Sequence, residues 1–478
     1  MPNQTRYLPG FHLQTLRRRP RSARQRWIDQ RARIKAHSLS QLGVYFERFI
    51  PSRYLAQQSC GGFSRRRLFS RENTFWAYFA QILDADGGCR EVVRRIQAHA
   101  TAKGWPMPSS STSAYCQARA KLDESMLADI ANDTGARLEY RGRSARWKQR
   151  RVVVVDGTGV SMPDTPANQA EWPQASNQKA GCGFPQARIC ACFCLATGAV
   201  LSHRVGHRKQ QELPLLRAQW DTFKPNDILL GDKGFCSYYD VWQLTRRGVD
   251  SVFTLARRTP VTATNAQAVL GDNDLLIEWP KPPWNPRLSY SHAEWQAMPA
   301  RLTLRQIRVD VTTPGFRTRG YTLITTLTDP TTYSAYELAD LYYRRWNVEL
   351  FFRDLKTTMG MDILRCRTPS GVRNEIRMHW IVYNALRLLM WEAGQDNNAS
   401  PRRLSFKATL QALRQWRPEA LTGRSLIQAI ADVAVTPRPG RREPRCVKRR
   451  PKPFALLTRP RHQMEEIPHR GRYRAKQA

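Results

Sequence analysis

The sequence is poor in acidic residues and has no long hydrophobic run. Of its 478 residues, 39 are Asp or Glu and 77 are Lys or Arg, so the formal net charge is +38. No run of about 18 apolar residues occurs, and no apolar signal segment follows the N-terminal charges. We therefore expect a cytosolic protein with no membrane partner. The large positive charge, spread along the whole chain, predicts a polyanionic partner and favours nucleic acid over an anionic membrane surface.

The ten cysteines include no CxxC pair, the commonest signature of a zinc site. Cys190, Cys192 and Cys194 alternate along the apolar stretch ICACFCL. Residues two positions apart share one face of a strand. The pattern therefore indicates a packed strand in a reducing compartment rather than a metal site.

The stretch LYYRRWNVELFFRDLK, from Leu341 to Lys356, has the spacing of an amphipathic helix. At about 100° per residue, five polar side chains fall on one narrow stripe beside the apolar face. They are Tyr342, Arg345, Glu349, Arg353 and Lys356. One interpretation is an exposed ladder of ion pairs four residues apart, each stabilising the helix by about 0.2–0.5 kcal/mol. The other is that the glutamate has a chemical role.

Two aspartates end short apolar segments that we predict to be buried strands. Asp156 follows four valines in RVVVVDGTG, and Asp232 follows the apolar residues of NDILLGDKGF. Functional groups of mixed α/β sheets gather where strands end, because the strand is rigid and its end opens into a crevice. Taken singly, each aspartate could instead belong to a turn, since Asp before Gly is common in hairpins.

Asp156, Asp232 and Glu349 together suggest a divalent metal site in a strongly basic protein. Three converging carboxylates repel one another unless a cation neutralises them. Oxygen ligands favour Mg²⁺ or Mn²⁺. Two such ions about 3.5–4 Å apart can activate the attacking oxygen and stabilise the leaving oxygen of a phosphoryl transfer.

Helical spacing dominates from Phe75 to about Asp133, with a break at the sequence GWPMP. Two helices joined by a break are typical of a helix-turn-helix DNA reader. A helical bundle with a basic solvated face explains the same residues equally well. The helix after the break carries four candidate DNA contacts, Tyr115, Gln117, Arg119 and Lys121.

The spacing Tyr-x2-Arg-x3-Glu-x6-Lys, from Tyr342 to Lys356, resembles the Y-R-E-K motif of DDE transposases of the insertion-sequence group named for insertion sequence four. The resemblance extends to VVVVDGTG, DILLGDKGF and GYTLITTLTDP. It covers residues 151–390 closely and SSSTSAYCQARAKL more loosely. Lys233 stands where members of the group often carry arginine, a change that keeps the charge.

This resemblance implies an α/β fold with a ribonuclease-H-like catalytic core, interrupted by a β-rich insertion. The three carboxylates would be catalytic ligands of two Mg²⁺ or Mn²⁺ ions, and Tyr342, Arg345 and Lys356 would hold phosphates of the transposon end, with Arg353 added by the helical stripe. In similar enzymes a water cuts the strand at the element's 3′ end, and the freed hydroxyl attacks the opposite strand to form a hairpin. A second water reopens the hairpin, and the hydroxyl then joins target DNA. The expected partners are double-stranded DNA and a second copy of the chain, at the nucleoid of a prokaryotic cytoplasm.

Changes in composition divide the chain into six predicted regions. They are a basic arm (residues 1–50), a helical DNA-binding domain (51–140), the first part of the catalytic core (141–250), the β-rich insertion (251–330), the second part of the core with the Y-R-E-K helix (331–399) and a basic C-terminal segment (400–478).

Two other functions stay open on the sequence alone. One is a metal-dependent nuclease or resolvase on the same core that cuts without joining, and the other is a non-catalytic DNA-binding protein with surface ion pairs. Several tryptophans could stack on a flipped base, although tryptophans more often belong to a core. The candidates are Trp279, Trp284, Trp295 and Trp346.

Overall fold

The structure is a computed structural model that describes most of the chain between residues 46 and 435. The described residues are 46, 49–64, 67–84, 86–102, 107–176, 178–179, 181–255, 262–286, 290–310, 320–397, 399–415, 423–435, 459, 463 and 464. The predicted basic arm and the predicted C-terminal segment beyond residue 435 therefore lie almost entirely outside the described residues.

Four helices occupy the N-terminal part of the described chain. They are α1 (Arg71–Leu83), α2 (Cys89–Ala102), α3 (Ser113–Ala120) and α4 (Glu124–Arg141). α1 begins at Ser70, whose side chain accepts a hydrogen bond from the N–H of Asn73 and caps the helix. α1 is almost entirely buried, and α2 and α3 pack against it. It therefore forms the centre of this helical region.

Within the described residues, nine strands form one mixed sheet in the order β3-β2-β1-β4-β5-β9-β8-β7-β6. β1, β4 and β5 run parallel to one another, and every other neighbouring pair is antiparallel. The strands are β1 (Val152–Ser161), β2 (Gln186–Cys194), β3 (Val200–His207), β4 (Ile228–Gly231), β5 (Asp250–Thr254), β6 (Ala268–Gly271), β7 (Asp274–Pro280), β8 (Arg301–Asp310) and β9 (Gly320–Thr325).

Short helices connect several of these strands. They are α5 (Pro166–Glu171), α6 (Glu212–Arg217), α7 (Tyr238–Arg246) and α8 (His292–Ala297). The valines of β1 are all buried, as expected for a strand covered on both faces. Cys190, Cys192 and Cys194 of β2 are also buried, with free thiols, so the prediction of a packed strand is confirmed.

The region predicted as a β-rich insertion extends the central sheet. β9 pairs with β5, and β8, β7 and β6 follow outward from it. Because β5 begins at Asp250 and belongs to the parallel set, the predicted boundary between residues 250 and 251 falls inside this strand.

β1 does not end at Asp156, and that part of the strand prediction is wrong. The strand continues to Ser161 because its last residues stay paired with β2, from Asp156 opposite Ala191 to Ser161 opposite Gln186. β4, in contrast, ends at Gly231, immediately before the second aspartate.

The segment predicted as one helix from Leu341 to Lys356 is broken into four pieces. α9 (Ala335–Tyr343) is followed by a 3₁₀ turn (Arg344–Trp346), α10 (Asn347–Arg353) and a π turn (Asp354–Thr358). A 3₁₀ turn has about 3.0 residues per turn and a π turn has more than an α-helix. The uniform angular spacing behind the predicted polar stripe therefore does not hold.

The longest described helix is α11 (Pro369–Asp396), which is capped by Thr368 and has Pro369 in its first turn. Asn384 in α11 fastens the helix to the sheet, since its side chain donates to the carbonyl of Val200 (3.1 Å) and accepts from the N–H of the same residue (2.9 Å). α4, α12 (Phe406–Gln415) and α13 (Gly423–Ala431) pack against α11. None of the described helices is both long and apolar enough to span a membrane.

Candidate active site

Two aspartates lie side by side at the centre of the sheet. Val154 of β1 pairs with Leu230 of β4 in parallel register, so two residues further on Asp156 comes beside Asp232. Neighbouring strands are about 4.8 Å apart, and residues paired in this way share one face of the sheet. Parallel pairing of β1 and β4 therefore brings the two carboxylates together.

Backbone N–H groups hold one oxygen of each aspartate. The N–H of Gly157 donates to Oδ1 of Asp156 at 2.8 Å, and the N–H of Gly234 donates to Oδ1 of Asp232 at 2.8 Å. The second oxygen of each carboxylate has no recorded hydrogen bond among the described residues. Each aspartate is thus oriented while one oxygen stays available for a ligand.

The environment of Asp156 disfavours its negative charge. Burial raises the pKa of Asp156 to about 6, and the charges of Asp232 and Glu212 add to the shift. The hydrogen bond from Gly157 and the positive charge of Arg345 oppose it. A carboxylate held in this way gains from a bound cation, which would offset both the burial and the repulsion.

Glu212, the first residue of α6, is a candidate that sequence reasoning missed. A Cβ atom on Gly157 would lie 2.1 Å from Oε1 of Glu212, so the carboxylate fills the space that the glycine leaves open. Since side chains alternate along a strand, Glu212 approaches from the face opposite to Asp156. Burial raises the pKa of Glu212, Arg188 opposes that shift and Asp232 adds to it. Nothing in the sequence distinguished this residue from its neighbours in the predicted helix.

Tyr342 and Arg345 are buried beside the aspartates. The hydroxyl of Tyr342 donates to Oγ1 of Thr254 at the end of β5 (3.1 Å). The guanidinium of Arg345 lies 5.5 Å from the ring centre of Tyr342 and 5.1 Å from that of Trp346. Its Nε atom is buried without a hydrogen-bond partner among the described residues. Arg345 therefore brings a positive charge close to Asp156 and keeps one N–H free.

Glu349 lies on the exposed side of α10. The buried side of this helix packs on β2, where the ring of Phe193 lies 5.5 Å from that of Phe351 and 5.1 Å from that of Phe352. α10 also contacts β1, the strand that carries Asp156. No three His, Cys, Asp or Glu side chains of the described residues are close enough to hold one metal ion. Glu349 thus stands on a helix that contacts the strand of Asp156, but it forms no metal-holding cluster with the aspartates in the described structure.

The predicted polar stripe, which borders the apolar face of the segment, is divided between interior and surface. Tyr342 and Arg345 are buried, whereas Glu349 and Arg353 are exposed, and Lys356 is half-buried in the π turn.

Among the four predicted DNA contacts of α3, Tyr115 and Arg119 belong to the interior of the helical region. Tyr115 is 0% exposed and its hydroxyl donates to Oε1 of Gln81 at 2.6 Å. Arg119 donates to the same oxygen at 3.1 Å and lies 4.9 Å from the ring centre of Tyr78. Full burial contradicts the predicted contact of Tyr115 with DNA. Arg119 is half-buried, and its DNA contact stays a prediction.

The other two residues predicted to contact DNA, within and just after α3, are exposed to solvent. Gln117 and Lys121 are exposed, so their DNA contacts stay predictions.

The tryptophans of the predicted insertion pack mainly with other rings. The ring centre of Trp279 lies 5.6 Å from that of Tyr238, and the ring centre of Trp284 lies 6.1 Å from that of Trp295. The indole N–H of Trp295 donates to the carbonyl of Pro282. These contacts favour the core interpretation for this group. Trp346, which stands beside Arg345, is instead 42% exposed.

Comparison with known proteins assigns the chain to a family. Residues 147–385 match the transposase DDE domain, and the chain belongs to this family. The matched segment begins just before β1 and ends within α11, so it contains Asp156, Asp232 and Glu349. The resemblance seen in the Y-R-E-K spacing is therefore confirmed.

Individual relatives agree with this assignment. The chain is 25% identical over 429 residues to the transposase InsG for insertion sequence element IS4 of Escherichia coli K12, covering 86% of this chain and 92% of that protein. It is 37% identical over 67 residues to the transposase for insertion sequence element IS421 of Escherichia coli, covering 14% of this chain and 17% of the relative. Among solved structures, a piggyBac transposase synaptic complex with hairpin DNA aligns with a TM-score of 0.43 and 9% identity, covering 85% of this chain and 88% of that one.

Proposed function

We propose that the protein is a cut-and-paste DNA transposase. It binds the terminal inverted repeats of its element, hydrolyses phosphodiester bonds with the help of divalent metal and joins the 3′ ends to target DNA. One observation carries this proposal: within the family segment, parallel pairing of β1 and β4 sets Asp156 beside Asp232 next to a buried arginine. In this proposal, strands β3-β2-β1-β4-β5 are the ribonuclease-H-like core.

The carboxylates support a site for hard divalent cations. Asp156 and Asp232 each offer a free oxygen, and the raised pKa of Asp156 reflects a negative charge that is poorly compensated in the metal-free protein. Glu349 is the third ligand of the proposal and reaches the aspartates by a movement of α10 when DNA binds. When bound, two Mg²⁺ or Mn²⁺ ions would activate the attacking oxygen and stabilise the leaving oxygen.

The basic side chains orient the phosphate that reacts. Arg345 would donate its free N–H to a non-bridging oxygen of that phosphate, while the ring of Tyr342 and the hydroxyl of Thr254 keep the guanidinium in place. Arg353 and Lys356, further along the chain, would hold neighbouring phosphates. Each proposed step, from the first nick through the hairpin to strand transfer, exchanges one P–O bond for another. One site can therefore serve all the steps.

The helical N-terminal region is the proposed reader of the transposon end, with Gln117 and Lys121 on its surface. The arginine-rich termini would add contacts to phosphates, which contribute equally on any sequence. Because an element has two ends, the proposed active assembly is a dimer in which each subunit engages one end.

A strand-transfer assay tests the proposal. The purified protein is incubated with a labelled transposon end, supercoiled target DNA and Mg²⁺, and both cleaved and joined products are measured. We expect both products. Cleavage without joining, even from a pre-cut 3′ end, would favour a nuclease or resolvase. Specific binding without cleavage in Mg²⁺ or Mn²⁺ would favour a non-catalytic DNA-binding protein.

A further inference from the structure

A cavity of about 270 Å³ lies between α10 and the C-terminal helices. Residues of α10, of α11 and of the segment around α12 line it. Leu350 on its rim is 45% exposed although it is apolar. The cavity is therefore open on the side of α10 that faces solvent, next to the exposed side that carries Glu349.

The cavity has an excess of positive charge. Four cationic side chains line it against a single acid, Asp354. Asp354 is buried and already paired with Arg387, whose Nη2 lies 2.7 Å from its Oδ2. The other three cations have no recorded salt bridge among the described residues. They are Arg353, Arg402 and Lys407.

Arg402 shows the effect of this imbalance. Arg402 keeps part of its side chain at the surface, and burial of the rest lowers its pKa, as do the positive charges of Arg344 and Arg387. The Cys194 side chain opposes this shift. An anion in the cavity would relieve the repulsion between these arginines, and the fork of Arg402 suits a phosphate.

The position of the cavity on α10 points to the origin of that phosphate. At about 100° per residue, Glu349, Arg353 and Leu350 follow one another around the exposed side of the helix at about 0°, 40° and 100°. Arg353 is also about 6 Å further along the helix axis than Glu349. One strand of DNA rises about 3.4 Å per nucleotide. A strand with its reacting phosphate near Glu349 can therefore place a phosphate about two nucleotides away in the cavity.

We propose that this cavity binds a backbone phosphate of the DNA strand that is cleaved, about two nucleotides from the reacting bond. Arg402 is the central contact, and Arg353 and Lys407 stand at the entrance. The inference rests on the proposed function, because it takes Glu349 as part of the active site. It gives the C-terminal segment a defined part in holding the strand, beyond its general positive charge.

A scan with neutral phosphates tests the proposal. Methylphosphonate replaces single phosphates on both sides of the cleavage site, and binding of each duplex is measured without divalent metal, so that no cleavage occurs. For the unmodified protein, one position about two nucleotides from the cleaved bond should weaken binding about tenfold, as for a lost hydrogen bond between charged groups. Arg402→Gln should weaken binding to the natural duplex by a similar factor and lose the sensitivity at that position alone.

Arg403→Gln is the matched control, because Arg403 is exposed like its neighbour Arg402 but does not line the cavity. It should keep the sensitive position. The proposal is overturned if both variants give the same scan, or if Arg402→Gln weakens binding equally at every position. Should Arg402→Gln fail to fold, Lys407→Gln, at an exposed lining residue, serves for the same comparison. Absence of cleavage in Mg²⁺ would instead count against the proposed function and leave the scan valid.

Discussion

The aspartate half and the glutamate half of the candidate site are built differently. Asp156 stands on β1 and Asp232 directly follows the parallel neighbour β4, and a backbone N–H fixes each carboxylate. Glu349 stands on a helix of seven residues, between a 3₁₀ turn and a π turn. Such irregular turns within helices often mark hinges and functional sites. The aspartates are therefore held by the sheet and by backbone hydrogen bonds, whereas Glu349 stands on a short helical segment between two irregular turns.

The carboxylates of the two halves also differ in how their negative charge affects the stability of the protein without metal or DNA. Burial and the negative charges of two neighbouring carboxylates raise the pKa of Asp156. Glu349 is instead exposed to solvent. Substitutions that act alike on catalysis should therefore act differently on stability.

The largest expected effect is the loss of cleavage, and it should be the same for both halves. Alanine at Asp156, Asp232 or Glu349 is expected to lower the cleavage rate by about 10⁴-fold, as when a member of a catalytic unit is removed. Specific binding to the transposon end should persist. Strand cleavage in Mg²⁺ and binding in its absence are measured for each variant.

The exposed Asp221 lies outside the site and provides the control, since Asp221→Ala should cleave normally. A Glu349→Ala variant that still nicks DNA at the unmodified rate would remove the glutamate half from the active site altogether.

Arg345 connects the two halves, and its removal should have the next largest effect. The hairpin brings phosphates close together, so local positive charge matters most there. Arg345→Ala should therefore keep appreciable first-strand nicking but form or resolve hairpins about 10- to 100-fold more slowly, a loss of about 1.5–3 kcal/mol. Lys356→Ala should act in the same direction. Denaturing gels of end-labelled DNA separate the nick, the hairpin and the released end.

Arg344→Ala is the matched control, because Arg344 is the exposed neighbour of Arg345 and pairs with Asp340. An equal loss of nicking and of hairpin formation in Arg345→Ala would mean that the arginine supports substrate binding as a whole.

Stability separates the halves directly. Asp156→Asn keeps an oxygen for the N–H of Gly157 and removes an unfavourable charge, so it should stabilise the metal-free protein by about 1–2 kcal/mol at pH 7. The pKa of Asp156 is raised from 3.8 to about 6 on folding, so its ionised form opposes folding. The increase in stability caused by Asp156→Asn should be complete above pH 6, become smaller as the pH falls and vanish below pH 3.8. Glu349→Gln should change stability little at any pH.

Thermal unfolding at several pH values measures both effects. Mg²⁺ should raise the Tm of the unmodified protein more than that of Asp156→Asn. If Asp156→Asn is less stable than the unmodified protein at pH 7, the charge is compensated in a way that the structure does not show.

Much of the aspartate half could be predicted from the sequence, because local patterns determine it. The valine run and the apolar segment before Asp232 are buried strands, and their parallel pairing brings the aspartates together as expected. The length of β1 could not be predicted in this way. The strand passes Asp156 because its partner β2 holds the following residues, a contact between distant parts of the chain.

The glutamate half was harder to predict for a physical reason. Motif spacing identifies Tyr342, Arg345 and Glu349, but a helical wheel assumes one uniform helix. The segment instead contains a 3₁₀ and a π turn on either side of the helix whose Phe351 and Phe352 pack on the sheet. The burial of Tyr115 could not be predicted from the local sequence either, because it depends on the packing of α3 against α1.

The smallest expected effect concerns Glu212 and tests whether the aspartate half includes a fourth carboxylate. Glu212 approaches from the opposite face of the sheet, so it should act on Asp156 through its charge and not as a ligand. Glu212→Gln removes a like charge and should lower the pKa of Asp156, since a carboxylate ionises more easily with fewer negative neighbours. Mn²⁺ binding is measured by calorimetry between pH 5 and pH 7. The pH below which binding is lost should be lower in Glu212→Gln than in the unmodified protein, by less than about one pH unit. Affinity at pH 7 should change less than about threefold. A large loss of affinity at every pH would make Glu212 a metal ligand, and the aspartate half would then bind metal without waiting for Glu349.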